Sequence, residues 1–503
     1  MENNSYIAAI DFGSSNITVA VASKDPDGRL NVIDLVSKPM QGMSYGEVTN
    51  IEQVTTAVRS VISDLETDLN IKVTKAYAGI SGHDIKCADS SYFVYISGED
   101  HEILKEDVIK LHASMANMQP PEGIVILDRT PQKYVIDSYK NTMEPVGCFG
   151  HQLEATFNFI LANRSSLDRL NKAFLRLNIK PEHIYTNAQA SAEAVLSDDE
   201  RESGVAVVDI GSNCTDICIW QDNIMRYVAM LPIGADAINK DIRLSAIPVR
   251  YIEKLKTKYG YAMANNIPEE KKHQSIKIPG PKIQQSKEIS FYNLAQIIEA
   301  RMLDIIDNVV EEIRESGYAD KLGSGIVLTG GGALLNDVDT LFHERTKLDV
   351  RIGSANPERL NEESMGYAED PQMSSIIGLL LLGVSDSQLS GTTVTLRKQP
   401  DVPESQNPQD QSRSEQETET ADTNTSADQN PAQTADQPAT QSPAQPQKPQ
   451  TPQQEKQPQT TEKKEEAKKP ATDGGKKQKN GGLIGGLKKL FNDIFDVVDD
   501  DDI

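Results

Sequence analysis

The chain has 503 residues, enough for more than one domain, with a formal net charge of −24 and a pI of about 4.8. This acidic balance argues against a nucleic-acid-binding protein, which would normally carry a basic face. The N-terminal residues show neither a basic segment nor a long apolar run, so we expect no signal peptide and a cytoplasmic protein.

The first predicted element is a β-hairpin at residues 7–22, IAAIDFGSSNITVAVA, and residues 205–220, VAVVDIGSNCTDICIW, repeat it. In register, each copy has an apolar strand, an Asp, a Gly and a Ser, followed by a second apolar strand. The Gly lets the backbone turn tightly, and the N–H groups and hydroxyls of such a turn form a concavity that binds anions. The repeat predicts two similar domains that hold one nucleotide between them. The alternative is two unrelated buried hairpins with Asp-Gly turns.

The residues of the two turns are expected to bind the phosphates and Mg²⁺ together. Asp11 and Asp209 end the first strand of their hairpins, where a carboxylate suits Mg²⁺, usually through water. The groups predicted to hold the phosphates are Gly13, Ser14, Ser15 and Asn16 on one side and Gly211, Ser212 and Asn213 on the other.

Two further elements follow the second hairpin. A helical pattern at residues 250–258 places Glu253 and Lys256 on one face, either as a solvated ion pair or as a pair that reaches the ribose or adenine. At residues 325–335, GIVLTGGGALL, a buried strand is followed by the turn Gly330, Gly331 and Gly332, where a nucleotide can pack against bare backbone.

The C-terminal part of the chain changes character twice. Residues 376–384 are apolar but too few to span a bilayer, so they predict a buried helix. From residue 397 to about 480 the composition predicts disorder, because too little apolar surface is present to offset the ordering entropy. Residues 483–498 then form an amphipathic pattern that predicts a helix lying in a membrane surface, the alternative being a helix docked in a groove. Its membrane-facing residues are predicted to include Leu487, Leu490, Phe491, Ile494 and Phe495.

The order of these motifs resembles the actin, Hsp70 and sugar-kinase superfamily, and within it the FtsA family of bacterial cell-division proteins. The narrower resemblance covers about residues 5–390 and the last twenty. Its motifs are PQKYVID at residues 131–137 with PVG at 145–147, DERESGVAVVDIG at 199–211, LAQIIEARMLD at 294–304, and GIVLTGGGALL followed by VRIG at 350–353.

This resemblance implies an α/β, actin-like two-domain ATPase fold in which an FtsA-type 1C subdomain replaces the usual 1B subdomain on the other side. A disordered linker and a C-terminal amphipathic helix complete the implied chain. The expected boundaries are 1–82 for the first part of subdomain 1A, 83–160 for 1C, 161–195 for the return of 1A, 196–235 for the first part of 2A, 236–300 for 2B, 301–396 for the return of 2A with a closing helix, 397–480 for the linker and 481–503 for the helix.

The resemblance also implies a function. Such a protein binds ATP with Mg²⁺, forms filaments, and tethers FtsZ filaments to the inner membrane at the division septum, on the cytoplasmic face. The positions matching the family's site for the FtsZ tail are Glu299, Arg301 and Asp304, which also fit an ordinary exposed helix face. Later division proteins are expected to bind subdomain 1C, and nucleic acid is not expected as a partner.

Two departures from the family pattern bear on activity. The second phosphate loop, usually D-x-G-G-G-T, reads Asp209 to Cys214 as DIGSNC, so two glycines and a Thr hydroxyl are missing. We therefore expect at most a slow ATPase, with Asp209 positioning Mg²⁺ or water and Gln189 as a candidate to orient the attacking water. The second departure is the run of Asp at residues 499–502, which opposes both the helix dipole and an anionic leaflet. The rival functions are a sugar-kinase type of phosphotransferase and a chaperone-like ATPase.

Overall fold

In the computed structural model, the described residues are 6–98, 100–279 and 286–390, together with the short strand Arg397–Lys398. The rest of the expected linker and the expected amphipathic helix, with Leu487, Leu490, Phe491, Ile494 and Phe495, lie outside the described residues. Arg397–Lys398 pairs with Ile71–Lys72, so the first two residues of the expected linker belong to a strand.

Both halves of the molecule contain strands, and so does an inserted segment. In chain order they are β1 (Tyr6–Phe12), β2 (Asn16–Lys24), β3 (Leu30–Pro39), β4 (Met43–Ser44), β5 (Glu47–Val48), β6 (Ile71–Lys72), β7 (Lys75–Ile80), β8 (Lys86–Tyr95), β9 (Ile124–Ile136), β10 (Lys140–Thr142), β11 (Gln152–Asn163), β12 (Lys180–Thr186), β13 (Val205–Ile210), β14 (Thr215–Gln221), β15 (Ile224–Leu231), β16 (Ser275–Ile278), β17 (Lys287–Ser290), β18 (Ile326–Thr329), β19 (Val350–Ile352) and β20 (Arg397–Lys398).

Helices connect and cover these strands. In chain order they are α1 (Ile51–Leu69), α2 (Lys105–Ala116), α3 (Arg164–Leu177), α4 (Asn187–Val195), α5 (Asp198–Ser203), α6 (Asp236–Leu244), α7 (Val249–Tyr259), α8 (Glu269–Lys272), α9 (Phe291–Glu315), α10 (Val338–Thr346), α11 (Met365–Ala368) and α12 (Ser374–Ser390).

The duplicated sequence corresponds to a duplicated sheet. One five-stranded sheet has the order β3-β2-β1-β7-β12 and the other has the order β15-β14-β13-β18-β19. In both, the first three strands are antiparallel and the central strand pairs in parallel with a later one. The predicted hairpins are confirmed as β1–β2 and β13–β14, and β13 is buried at every position because sheet and helices cover both faces.

Helices α4 and α12 pack against each other within a hydrophobic cluster that also contains residues of both sheets. A Cβ on Gly378 would lie 1.7 Å from the carbonyl oxygen of Ala190, so the two helices approach more closely than any larger residue allows. The apolar stretch 376–384 is confirmed as a buried part of α12. Among the described helices, none has the length and apolar character needed to cross a membrane.

The residues between β7 and α3 form an insertion with a sheet of its own. Its antiparallel sheet has the order β10-β9-β11-β8, and its core includes residues of helix α2. The second half carries its own insertion, in which α6, α7, α9 and the β16–β17 hairpin share a core with the second sheet. Helix α9 runs unbroken through residue 300, where subdomain 2B was expected to end.

Candidate functional site

The two hairpin turns and the glycine turn after β18 surround one cavity of about 470 Å³. All the residues that the sequence analysis assigned to the nucleotide line this cavity, which we call the cleft. They are Asp11, Gly13, Ser14, Ser15, Asn16, Asp209, Gly211, Ser212, Asn213, Glu253, Lys256, Gly330, Gly331 and Gly332.

The first turn presents its hydroxyl groups to the cleft. A Cβ on Gly13 would lie 2.7 Å from the carbonyl oxygen of Asn16, so the turn is tight enough to require glycine. The hydroxyl oxygen of Ser14, which lines the cleft, accepts a hydrogen bond from the Gly46 N–H at 3.1 Å.

The second turn is supported by the start of α6. The N–H groups of Ala235 and Asp236 donate to the carbonyl oxygens of Gly211 and Ser212 at 2.9 and 2.7 Å. The Ser212 hydroxyl donates to the side-chain oxygen of Asn213 at 3.2 Å, so the two residues that replace glycines bond to each other. This turn is therefore rigid, but its side chains occupy space that glycines would leave to a phosphate.

The glycine turn after β18 lies directly against the second Asp. Gly330 has φ 79°, and a Cβ there would lie 2.1 Å from a carboxylate oxygen of Asp209. Only glycine satisfies both conditions. A Cβ on Gly331, by contrast, would meet the side chain of Gln372 at 3.6 Å, an ordinary contact, so close packing does not explain the second glycine.

Three carboxylates meet at the floor of the cleft. Asp209 and Asp216 face each other across β13 and β14, and both are 7% exposed, while Asp11 is partly open to the cleft. Burial raises the pKa of Asp11 to about 7, the negative charge of Asp209 adds to the rise, and a hydrogen bond from Asn187 opposes it. Burial followed by the charges of Asp209 and Asp11 also holds the pKa of Asp216 well above its usual range.

Asp216 was missed by the sequence analysis. It lies in the second strand of its hairpin, five residues beyond the Gly of the repeat, where the first hairpin has Thr18 instead. Its carboxylate accepts a hydrogen bond of 2.7 Å from Ser81, which follows the neighbouring strand of the other half. The available signal was an Asp inside an otherwise apolar strand, a position where a carboxylate needs a partner.

Helix α4 supplies polar groups from behind the cleft. The Asn187 amide donates to Asp11 at 2.9 Å, and the Ser191 hydroxyl donates to Asp209 at 2.5 Å. Ser375 at the start of α12 donates to the same Asp209 oxygen at 3.1 Å. These bonds oppose the rise that burial causes in the pKa of Asp209.

The structure does not support the role expected for Gln189. Its side-chain oxygen accepts from the backbone N–H and the hydroxyl of Thr186, and its amide donates to Asp128 at 2.8 Å. Because a helix turns about 100° per residue, residues 187 and 191 share one face, whereas residue 189 lies about 200° from residue 187. Gln189 therefore caps α4 and faces the insertion, and it does not line the cleft.

The far end of the cleft carries the predicted ion pair. The Lys256 amino group lies 2.9 Å from the carboxylate of Glu253 and 3.3 Å from the carbonyl oxygen of Ala235. Asn239 donates to the same Glu253 carboxylate at 2.7 Å. Lys256 lines the cleft and is only 7% exposed, so it is not part of a fully solvated pair.

The three residues expected to bind a partner lie on α9, where Arg301 and Asp304 share a face and Glu299 is turned about 140–160° away from them. Arg301 makes a two-pronged bond to Asp241 at 2.6 and 3.1 Å and an ion pair with Asp304 at 3.1 Å. Glu299 accepts a hydrogen bond of 2.7 Å from the Ala264 N–H. Asp304 is 59% exposed, so it is the more accessible charge of the Arg301–Asp304 pair.

The cleft suits a divalent cation bound largely through water. Burial is the main cause that raises the pKa values of the three carboxylates, and for Asp11 and Asp216 the charges of neighbouring Asp residues add to the rise. A cation would offset both effects. Among the described residues, the carboxylates of the cleft do not form a set whose oxygens all lie within 4.8 Å of one another. The set is therefore too open for one Mg²⁺ ion to contact all three directly.

Comparisons with known proteins agree with this architecture. The model of the family described as cell division protein FtsA matches residues 206–378, and the model of the SHS2 domain inserted in FtsA matches residues 82–161. The chain is 30% identical over 381 residues to the cell division protein FtsA of Neisseria meningitidis, covering 75% of this chain and 89% of that protein. It is 29% identical over 394 residues to FtsA of Escherichia coli K12, covering 76% of this chain and 91% of that protein.

Similarity to a solved structure bears on the fold alone. A chain of the PilM-PilN type IV pilus biogenesis complex superposes with a TM-score of 0.50 at 14% identity, covering 75% of this chain and 98% of that chain. The two duplicated sheets with an inserted SHS2 domain make this an actin-like two-domain fold, as the sequence predicted. With its family model, inserted domain and relatives in agreement, the chain belongs to the FtsA family of actin-like cell-division proteins.

Proposed function

We propose that the protein is a nucleotide-dependent adaptor of the division septum, which binds ATP and Mg²⁺ in the cleft, polymerises, and tethers FtsZ filaments to the inner membrane. The observation that carries the nucleotide part is the cleft itself, where two phosphate-type turns, a glycine turn and three carboxylates line one cavity of about 470 Å³. That volume lies within the range of ordinary small-ligand sites.

Each part of the cleft has a chemical task in this proposal. The first turn would bind phosphate through the N–H groups around Gly13 and the Ser14 hydroxyl, and the second would close over the phosphates from the other half. Asp11, Asp209 and Asp216 would hold Mg²⁺ largely through water, and the metal would neutralise phosphate charge. Lys256 and Glu253 would contact the nucleoside, against the bare backbone of the glycine turn.

We propose that turnover is slow. The second turn carries Ser212 and Asn213 where its relatives are expected to have glycines, and these side chains bond to each other. Gln189, the residue expected to orient a water, is engaged in a helix cap. Stable binding of nucleotide is sufficient for a filament subunit, whereas fast hydrolysis would need a positioned water.

The adaptor role rests on family membership and on surfaces away from the cleft. The FtsZ tail would bind at α9 near Glu299, Arg301 and Asp304, and later division proteins would bind the SHS2 insertion. Membrane attachment would come from the amphipathic segment that includes Phe491 and Phe495. The family model and the two curated relatives described above are cell-division proteins, which favours the adaptor over the sugar-kinase and chaperone alternatives.

A co-sedimentation experiment tests the proposal with the full chain. FtsZ filaments should sediment with vesicles of phosphatidylethanolamine and phosphatidylglycerol only when the protein is present, and more strongly with ATP and Mg²⁺ than with ATP and EDTA. Phe491→Asp should abolish recruitment to vesicles while leaving ATP binding unchanged. If recruitment to vesicles is the same for Phe491→Asp and wild type, and the same with Mg²⁺ and with EDTA, this adaptor function is ruled out.

A further inference from the structure

Helix α7 carries a row of cations on the side that faces away from the core. Ile252 and Leu255 are buried. The exposed cations are spaced four residues apart and are Arg250, Lys254 and Lys258. At about 100° per residue, the three positions span about 80° of the helix. We call Arg250, Lys254 and Lys258 the α7 basic row.

Within the described part of the chain, no carboxylate forms an ion pair with any member of the α7 basic row. The contacts of Arg250 and Lys258 are with the rings of their neighbours Tyr251 and Tyr259. Other cations of the same subdomain do have partners: Lys256 pairs with Glu253, and Lys240 with Asp236. Three like charges left side by side favour an anionic ligand.

Apolar side chains lie next to this row. Leu244 at the end of α6 is 85% exposed and Val249 at the start of α7 is 64% exposed. The four residues 245–248 connect the two helices, and Ile242 and Ile247 are buried, which fixes this end of the pair in place. We call the set Arg243, Leu244, Val249, Arg250, Lys254 and Lys258 the α6–α7 surface.

The chain itself contains a segment with the complementary composition. Residues 490–503, LFNDIFDVVDDDDI, hold six Asp and neither Lys nor Arg, and apolar residues are interspersed with the acidic ones. Residues 236–290, by contrast, hold eleven Lys and Arg against six Asp and Glu in a chain whose net charge is −24. An apolar and acidic segment therefore matches an apolar and basic surface in both properties.

The length of chain between the two makes the contact accessible. About 90 residues separate Lys398 from the acidic segment, and a disordered chain of that length, as its composition predicts, has a root-mean-square span of about 50 Å. Tethering of this kind gives an effective concentration that can approach the millimolar range. A contact too weak to form between separate molecules can thus be populated within one.

We propose that residues 490–503 dock on the α6–α7 surface of the same chain when no membrane is present. This inference rests on the proposed function, since Phe491, Ile494 and Phe495 are also the residues expected to enter the membrane. The two contacts use the same side chains and exclude each other. Docking therefore withholds the anchor until a membrane competes for its apolar side chains.

A zero-length carbodiimide cross-link in the full-length protein tests the contact directly, because it joins a carboxylate to an amine only when they touch. Mass spectrometry should find links from the Asp residues of 490–503 to Lys254 or Lys258, and excess vesicles of phosphatidylethanolamine and phosphatidylglycerol should remove them. A mixture of isotopically light and heavy protein should give light–light and heavy–heavy links. Mixed links, or none to these lysines, would overturn the proposal.

Vesicle affinity supplies an independent measurement. Lys254→Glu with Lys258→Glu should release the anchor and lower the lipid concentration needed for half-maximal binding about three- to tenfold, as expected when most molecules are docked. Lys277→Glu with Lys287→Glu makes the same charge change on exposed residues of the β16–β17 hairpin and should leave binding unchanged. Lys254→Arg with Lys258→Arg keeps the charge and should bind vesicles like the wild type.

The remaining outcomes separate this inference from the proposed function. If the glutamate variant binds vesicles more weakly than the wild type, the α7 basic row contacts lipid. If it binds equally well, the row does not hold residues 490–503. Either result contradicts docking. If the wild type and all variants fail to bind vesicles, the adaptor function fails, while the cross-link still decides whether the segment docks.

Discussion

At the scale of single residues, the cleft concentrates negative charge where water is scarce. Asp209 and Asp216 are almost completely buried and Asp11 lies beside them, yet their hydrogen bonds come from neutral groups, namely Asn187, Ser191, Ser375 and Ser81. A neutral donor offsets only part of the desolvation of a carboxylate. Without a metal, this partly uncompensated desolvation is therefore an electrostatic cost to folding, which a bound cation would remove.

This cost predicts a pH-dependent effect of Asp11→Asn in protein free of nucleotide and metal. The pKa of Asp11 is raised from 3.8 to about 7, so the folded state retains a proton that the unfolded state releases, and stability falls as pH rises through that window. The full shift corresponds to about 4 kcal/mol, which the opening of Asp11 to cleft water reduces to about 1–2 kcal/mol. At pH 8 the variant should unfold about 1–2 °C above the wild type.

Thermal unfolding at about pH 5 and about pH 8 measures this difference. At the lower pH, where Asp11 keeps its proton in the folded state, most of the loss has yet to occur, so the gap between variant and wild type should shrink to less than half. Equal gaps at the two pH values would show that ionisation of Asp11 does not limit stability. Adding Mg²⁺ and ATP at the higher pH should reverse the order, because the wild type alone retains the carboxylate that binds the metal.

A pair of neighbouring glycines gives a second prediction at this scale. Gly330→Ala would place its Cβ 2.1 Å from Asp209 at a positive φ, whereas the Cβ of Gly331→Ala would lie 3.6 Å from its nearest neighbour, the side chain of Gln372. We expect the first to lower ATP affinity at least tenfold and the second to change it less than threefold, measured by calorimetric titration. Equal losses would mean that contact with Asp209 is not what requires glycine.

At the scale of secondary-structure elements, the sequence predicted the two repeated turns and missed the residues whose role depends on contacts between distant elements. The β1–β2 and β13–β14 hairpins carry their own signals, an apolar run ending in Asp and Gly, so both were predicted correctly. Helix α4 carries Asn187, Gln189 and Ser191, and only its rotation decides which of them reach the cleft. Asp216 depends on its partner Ser81, 135 residues away, a pairing that only the folded chain reveals.

One side chain of the PQKYVID motif helps to hold the insertion against the second half, beside the hydrogen bond from the Val228 N–H to Cys87. Gln132 on β9 is 7% exposed; its amide donates to the Met225 carbonyl oxygen at 2.9 Å, and its side-chain oxygen accepts from Arg226 at 3.2 Å. The backbone carbonyl of Gln132 also accepts from Arg226, at 3.0 Å. The motif that supported the family resemblance therefore has a structural role between β9 and β15.

Gln132→Ala should destabilise the protein by about 1–3 kcal/mol, because the substitution leaves the Met225 carbonyl oxygen without its side-chain donor and Arg226 with one acceptor fewer. Hydrogen exchange should accelerate in β15 in particular. Gln119→Ala changes an exposed glutamine of the same insertion and should stay within about 0.5 kcal/mol of the wild type. If both variants unfold at the wild-type temperature, the bridge contributes nothing to stability.

At the scale of the whole molecule, duplication explains why the cleft belongs to neither half alone. Each sheet brings one turn and its Asp, and the hydrogen bond between Ser81 and Asp216 joins the two halves at the floor. The composition argued against nucleic acid as a partner, and the repeat could predict a ligand between domains. Helix α4 was expected at the site through Gln189, but the wrong residue of the helix was chosen. The place of α12 behind the cleft could not be predicted, because its apolar sequence fits any buried position.

A ligand that bridges two halves should stabilise both of them. With Mg²⁺ and ATP at about 100 times the dissociation constant, binding to the folded state alone should add about 2.7 kcal/mol to the free energy of unfolding. Hydrogen exchange should slow in the turns at residues 13–15 and 211–214 together, since phosphate would contact both. With EDTA in place of Mg²⁺ the protection should largely disappear, because the phosphates would then face Asp11, Asp209 and Asp216 without a cation between them. Protection confined to the first turn would instead mean that the altered second turn, with Ser212 and Asn213 bonded to each other, has lost contact with the nucleotide.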